Sequence, residues 1–362
     1  MSNSKKICLV GGEDAHKRIA LSKYLLKNNF KVTILGSKSY NYSSDIEFIE
    51  YSLNRKLNPI SDFKTIIQYR KIFIAHKFDI IQTFDTKPAF LVPLATCGLN
   101  TKLVRTITGL GTLFMSNKLK YKLLRQFYNL LHCIVRDKVD CTTFQNNDDL
   151  GYFLDKKLAR PSNSTLIFGS GIEIKKNQPI AKRQNTIFTY ICVARLVYEK
   201  GIVNYLEAAK ICIDKGFEFK FWLVGPLEEH TKRLNLDILK DYSKIVDWLG
   251  ERNDIDQLML DSDAFVLPTF REGLSRVILE ACTIGLPIIT TYVPGTKEIV
   301  REGEEGLFAK VNNSEDLAEV MIKLATDKAL CDRLSKNSAI RAHEFSLKTI
   351  SNQYINLYRK IL

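Results

Sequence analysis

The chain has 362 residues, more than one hydrophobic core usually spans, so two domains are expected. Apolar residues make up 45% and charged residues 26%, a globular balance that excludes a long disordered chain. Residues 1–180 carry 28 Lys+Arg against 14 Asp+Glu and residues 181–362 carry 25 against 26, so the net +13 divides into +14 and −1. A first half of that charge calls for an acidic partner: anionic lipid, phosphate or nucleic acid.

The chain opens with Ile7-Cys8-Leu9-Val10, the turn Gly11-Gly12, a helical pattern to Leu26, and then Lys31–Leu35. That is a strand–turn–helix–strand unit. Its apolar run is too short for a secretory signal, and no later run reaches the roughly 18 residues of a membrane-spanning helix. Helical patterns over 59–76, 88–98 and 117–136 alternate with short strands at Asp79–Gln82, Leu103–Thr106 and Cys141–Phe144. A polar stretch from Lys175 to Asn185 reads as a linker. Beyond it, strands at Ile187–Val193, Phe219–Val224, Lys244–Leu249, Ala264–Leu267 and Pro287–Thr290 alternate with helices at 201–215 and Leu274–Ile284. Helices then run from about 315 onward. Two such series predict two doubly wound parallel-sheet domains, with ligands beyond the strand C-termini and a cleft where the domains face each other. The eight cysteines form no C-x-x-C pair, which suits buried free thiols in a reducing compartment.

Four features could carry chemistry. In Phe270–Ala281, Glu272 falls in a strand-to-helix turn, Gly273-Leu274-Ser275 falls at a helix N-terminus, and Glu280 lies inside the helix. Unpaired backbone N–H groups and the helix dipole make such an end an anion site. The helical rise puts the two carboxylates roughly 9–12 Å apart, mostly beyond the spacing of paired hydrolase carboxylates. That separation suits a diphosphate with a hydroxyl-bearing group on either side, the bland alternative being a turn residue and a solvent-facing helix residue. Val193–Gly201 also follows a strand and opens a helix, so Arg195 and Lys200 could neutralise a diphosphate or be ordinary surface cations. Gly12 could bring its backbone to a phosphate or simply make a tight turn, since the dinucleotide pattern G-x-G-x-x-G is not met. Lys118, Lys120, Lys122 and Arg125 stand on a basic amphipathic helix that could lie on an anionic membrane, or could turn its apolar stripe into the core. The triplets Asp254-Ile255-Asp256 and Asp261-Ser262-Asp263 read as helix-end residues rather than metal ligands, and the five histidines are scattered.

Read together, "LPTFREGLSRVILEACTIGLPIITTYVPGTKEIV" (267–300), Arg195 with Lys200-Gly201, "FWLVGP" (221–226) and "VDWLGERNDIDQLML" (246–260) resemble, in order, the retaining glycosyltransferases of family 4. The first half, in "QTFDTKP", "VRTITGLG" and "FQNNDD", is similar more loosely to the branch that builds bacterial surface polysaccharides on undecaprenyl diphosphate. The resemblance implies the α/β GT-B fold. An acceptor domain would span 1–178 with a C-terminal helix, 346–362, crossing back to it, and a donor domain would span 184–345. It further implies that Arg195 and Lys200 bind and stabilise the leaving diphosphate, Glu272 holds the transferred sugar and Glu280 the ribose. Gly12, Gly273 and the N–H groups of Leu274 and Ser275 would lie on the donor side. The donor would be a nucleotide sugar, of uridine by family habit, with no metal or other cofactor, because positive side chains replace the metal. The acceptor would be a lipid-diphosphate-linked saccharide at the inner face of a bacterial plasma membrane, and nucleic acid would not be a partner. Many relatives carry histidines where Phe84, Asp85 and Thr108 stand here, so no acceptor-side histidine is carried over. Ser275 stands where many relatives have Pro and would keep an N–H at the helix end. A sugar-nucleotide epimerase of the same fold and a non-enzymatic anion- or nucleic-acid-binding protein are the alternatives.

Overall fold

A computed structural model describes residues 4–38, 45–54, 56, 58–114, 118–174, 186–228 and 233–362. The chain divides into two compact units, Met1–Gly171 with Leu347–Leu362, and Ile172–Ser346. The division falls ahead of the expected boundary, and the linker stretch 175–185 lies outside the described residues.

Unit 1 contains β1 (Lys5–Val10), α1 (Ile19–Lys27), β2 (Phe30–Gly36), β3 (Glu47–Glu50), α2 (Pro59–His76), β4 (Ile80–Thr83) and α3 (Pro88–Ala95). It continues with β5 (Lys102–Ile107), α4 (Leu119–Val135), β6 (Cys141–Phe144), α5 (Asn147–Asp155) and β7 (Ser164–Leu166). Unit 2 contains β8 (Phe188–Val193), α6 (Ile202–Asp214), β9 (Phe219–Val224), α7 (Leu236–Asp241), β10 (Val246–Trp248) and α8 (Ile255–Leu260). It ends with β11 (Ala264–Leu267), α9 (Arg276–Ile284), β12 (Ile288–Thr291), β13 (Gly306–Ala309), α10 (Ser314–Thr326) and α11 (Lys328–Ala342). The last helix, α12 (Leu347–Ile361), returns to unit 1 and buries Ile350, Tyr354 and Tyr358 with Ile7 and Leu9 of β1.

Among the described residues every pairing of these strands is parallel, in the orders β3-β2-β1-β4-β5-β6-β7 and β10-β9-β8-β11-β12-β13. Parallel strands are covered on both faces by their crossover helices, which is why central strands such as Ile7–Val10 and Ala264–Leu267 are apolar and buried throughout. Each order reverses direction once, between β1 and β4 in unit 1 and between β8 and β11 in unit 2. At such a reversal the two following loops run to opposite faces of the sheet and leave a crevice beyond the strand ends.

α2, α3 and α4 share one core cluster on one face of the unit 1 sheet, with Tyr69, Phe90 and Val135 packed among Val10, Ile81 and Leu103 of the strands. α4 has two apolar faces. Tyr128, His132 and Val135 are buried, while Leu119, Leu123, Phe127, Leu130 and Ile134 are exposed, so the helix puts one stripe in the core and leaves another on the surface. Six cysteines are buried, but Cys97 and Cys133 are exposed, which corrects the expectation of buried thiols for those two.

Candidate active site

The loops after β8 and β11 are neighbours because their strands are neighbours at the unit 2 reversal. The chain leaves β8 through Ala194 to Val197 and makes a single 3-10 turn, Tyr198–Lys200. Gly201 then starts α6 in the left-handed region at φ +70, so close to the end of β11 that an added Cβ would sit 2.0 Å from the Pro268 carbonyl oxygen. Only glycine permits both that conformation and that approach. The contact is fastened by Phe270 N–H donating to the Glu199 carbonyl at 2.9 Å and by Thr269 Oγ1 donating to the same oxygen at 3.2 Å.

This seam brings Lys200 to Glu272. Lys200 Nζ donates to Glu272 Oε1 at 2.5 Å, with the side chains 21% and 12% exposed. Glu272 is held from its other side by the loop after β12. Its N–H donates to the Pro294 carbonyl at 2.9 Å, and a Cβ on Gly295, at φ +83, would come within 2.6 Å of Glu272 Cβ. Gly295 is a positioning residue that the sequence reading did not single out; its N–H donates to Glu298 Oε2 at 2.7 Å.

The helix end differs from expectation. α9 begins at Arg276, not Leu274, because Ser275 is extended, with ψ 102, and its N–H donates to the Gly295 carbonyl at 3.0 Å. The Ser275 N–H is therefore taken. The backbone N–H groups left for an anion are those of the first turn, Arg276 to Ile278, together with Leu274, for which no hydrogen bond is formed among the described residues. Gly273 lies in the turn between Glu272 and this helix end.

Arg195 and Glu280 have partners of their own. Arg195, 64% exposed, donates to Glu228 Oε1 rather than joining the Lys200–Glu272 pair. Arg276 Nε donates to Glu280 Oε1 at 2.9 Å, one turn along α9. Arg195, Lys200 and Glu280 nevertheless line one cavity of about 320 Å³, with Gly225, Arg252 and Val277 among its other walls. Gly225, at φ +137, lets the end of β9 meet the β8 loop, since a Cβ there would lie 1.8 Å from the Ala194 carbonyl oxygen. Glu228 and Gly225 were missed in the sequence because their roles depend on a partner far along the chain and on close backbone approach, whereas the Arg276–Glu280 pair has the local i,i+4 spacing that could have found it.

The remaining expected residues lie elsewhere. Gly12 is in unit 1, at the β1–β4 reversal, and its N–H is already accepted by Asp85 Oδ2 at 2.7 Å. That hydrogen bond removes the free backbone donor expected for a phosphate. Burial, and then the nearby Asp14 charge, push the Asp85 carboxyl up; at Asp14 burial pulls the same way, but the Arg18 and Lys17 charges prevail and hold it low. Lys118, Lys120, Lys122 and Arg125 sit at the start of α4 in unit 1. Asp254 forms a bidentate pair with Arg252, and Asp263 accepts the Thr189 N–H at 2.9 Å. Among the described residues no three His, Cys, Asp or Glu side chains gather in a way that could hold a metal, and no helix is long and apolar enough to cross a membrane.

Two parallel-sheet, Rossmann-like units in one chain are the architecture of the GT-B glycosyltransferase fold. Residues 172–341 match the family model Glycosyl transferases group 1, and residues 6–146 match Glycosyl transferase 4-like. The chain belongs to the group 1 glycosyltransferases and is an enzyme of that class. It is 27% identical over 332 residues to the N,N'-diacetylbacillosaminyl-diphospho-undecaprenol alpha-1,3-N-acetylgalactosaminyltransferase of Campylobacter jejuni, covering 88% of this chain and 86% of that protein. It is 27% identical over 344 residues to the UDP-Gal:alpha-D-GlcNAc-diphosphoundecaprenol alpha-1,3-galactosyltransferase of Escherichia coli, covering 89% and 87%. The fold is shared with Anabaena HepE, solved with UDP and glucose, at a TM-score of 0.77 and 18% identity over 98% of this chain and 100% of that one.

Proposed function

We propose that the enzyme moves a hexose or N-acetylhexosamine, with retention, from a UDP-sugar to an undecaprenyl-diphosphate-linked saccharide at the cytoplasmic face of a bacterial membrane. Unit 2 binds the donor and unit 1 the acceptor. The observation that carries the donor side is the Lys200–Glu272 pair, fixed at the β8–β11 reversal beside the open end of α9. Support for donor and acceptor class comes from the two relatives, whose names specify diphospho-undecaprenol-linked sugars and alpha linkages, and in one case UDP-galactose.

In this reading the donor diphosphate lies against the first turn of α9 and Lys200, and Arg195 turns from Glu228 to meet it. Lys200 holds one oxygen of Glu272 and so aims the carboxylate, leaving its other oxygen to accept hydroxyls of the transferred sugar. Glu280, steadied by Arg276, accepts from the ribose. The acceptor hydroxyl oxygen bonds to the anomeric carbon on the face the diphosphate leaves. The bond from that carbon to the phosphate oxygen breaks with its electron pair, and the hydroxyl proton passes to the departing diphosphate. Lys200, Arg195 and the helix end stabilise the charge that develops there, the role a divalent ion would otherwise fill. Thermal-shift measurement against a panel of nucleotide sugars tests the donor class. UDP and UDP-sugars should raise the melting temperature of the wild-type protein, with a smaller shift in Lys200→Ala; a response to no uridine nucleotide would refute it.

A further inference from the structure

We infer that α2 and α4 together form a bilayer-embedded footing, an apolar surface that enters the headgroup region of an anionic membrane. On α4, Leu119, Leu123, Phe127, Leu130 and Ile134 fall within an arc of about 80° at roughly 100° per residue, and all five are exposed. On α2, Ile60, Phe63, Ile67 and Ile74 fall within about 60° on the same count, and these too are exposed. Both helices pack on α3 in one core cluster on one face of the sheet, so their outer faces look away from the sheet together. Nine of the seventeen exposed large hydrophobic side chains among the described residues lie on these two helices. A patch of that kind marks an interaction surface rather than ordinary scatter.

Charge identifies the occupant. Lys120 and Lys122 flank the α4 stripe on either side, and Lys64 and Lys71 border the α2 stripe along one side. α4 contains no Asp or Glu, and the one acidic residue of α2, Asp62, is paired with Lys87 at 2.5 Å. An apolar stripe bordered by lysines suits the boundary between anionic headgroups and acyl chains. A second copy of the chain fits poorly, because an isologous pair through α4 would set lysines against lysines. Neither helix is long and apolar enough to cross a bilayer, so both would lie in its surface. The inference rests on the lipid-linked acceptor for its purpose, and it goes beyond electrostatic attraction to the four basic residues at the start of α4 by adding insertion and a second helix.

Vesicle sedimentation of the full chain tests it. The protein should pellet with vesicles of equal phosphatidylcholine and phosphatidylglycerol, and much less with phosphatidylcholine alone. Phe63→Ser with Ile67→Ser on α2, and Leu123→Ser with Phe127→Ser on α4, should each lower the vesicle binding constant by about ten-fold. All these side chains are exposed, and both variants should keep wild-type transfer to a short-chain, water-soluble lipid-diphosphate sugar. Loss of vesicle binding with transfer retained supports the footing. Unchanged binding in the α2 variant overturns the two-helix surface, while a wild-type dimer in vesicle-free solution that either variant splits assigns the surface to a second copy. A probe on the exposed Cys133, with Cys97→Ser, gives a reading in the otherwise native chain. Its emission should shift to the blue on the mixed vesicles, and no shift would overturn insertion. Because vesicle binding needs neither donor nor acceptor, its failure leaves the transferase reading standing.

Discussion

The two units repeat one topology and use it differently. At the reversal of unit 2, opposite charges meet: Lys200 and Glu272 are paired but partly exposed, beside a helix end with open N–H groups. At the reversal of unit 1, two carboxylates, Asp14 and Asp85, share their surroundings with Arg18, and Asp85 closes the Gly12 N–H. Unit 1 instead shows its character on its outer helices, where exposed apolar side chains collect on α2 and α4, whereas in unit 2 Ile213, Trp248 and Tyr292 belong to α6, β10 and the loop after β12. One sheet order can therefore carry a paired cation and carboxylate at its reversal in one unit and an exposed apolar surface on its outer helices in the other. What decides between them is the loop residues after the central strands and the outer faces of the crossover helices.

The largest effect is expected at the ion pair of unit 2. Glu272→Ala and Lys200→Ala should each lower kcat by about ten-fold or more, since both are proposed to act on the charged, reacting part of the donor. Steady-state transfer assays with full activity in either variant would remove the site from unit 2. Next in size is the glycine that makes the pair possible. Gly201→Ala combines left-handed strain with a clash on Pro268, whereas Gly98→Ala in unit 1, at φ +75, has nothing within 4 Å of its Cβ. Chemical denaturation should show Gly98→Ala costing about 1 kcal/mol and Gly201→Ala clearly more, with transfer lost only in the latter. Equal costs would mean that the Pro268 contact does not hold Lys200 in place.

A smaller effect separates the units by pH. Arg105 Nη1 donates to His132 Nδ1 at 3.0 Å, so the His132 proton is on Nε2. Burial, and then the Arg105 charge, hold the His132 pKa well below its usual 6.5. The unfolded chain takes up a second ring proton near pH 6.5, which the folded chain, with Nδ1 occupied by Arg105, does not. Stability is thus fully present above about pH 6.5 and falls as pH drops below it. Urea midpoints measured from about pH 7.5 to 5.5 should show that fall, reduced in His132→Gln. The smallest expected change is Gly151→Ala in α5, where the added Cβ meets nothing within 4 Å. It should stabilise the chain by about 0.5–1 kcal/mol in the same titration.

The strand and helix alternation was legible because buried parallel strands are continuous apolar runs. β3 and β7 were not, since the short segments Glu47–Glu50 and Ser164–Leu166 are only partly buried or exposed and lie at sheet edges. β13 escaped for another reason: it is four residues long and begins at Gly306, where a Cβ would lie 2.0 Å from the Ile288 carbonyl oxygen. Glu272 and Lys200 could be named from their own turns. The start of α9 could not, because it is set by the distant Gly295, and Arg195's partner, Glu228, follows a different strand. The two faces of α4 were visible as an apolar, basic helix, but which face was buried depended on packing against α3 and the sheet.

The most direct test of the account incubates the enzyme with a UDP-sugar panel and a short-chain polyprenyl-diphosphate saccharide in EDTA, and follows acceptor mass and anomeric configuration. One uridine donor should add a single sugar in alpha linkage, with product strongly reduced in Glu272→Ala. Donor epimerised or hydrolysed with no gain in acceptor mass would contradict it.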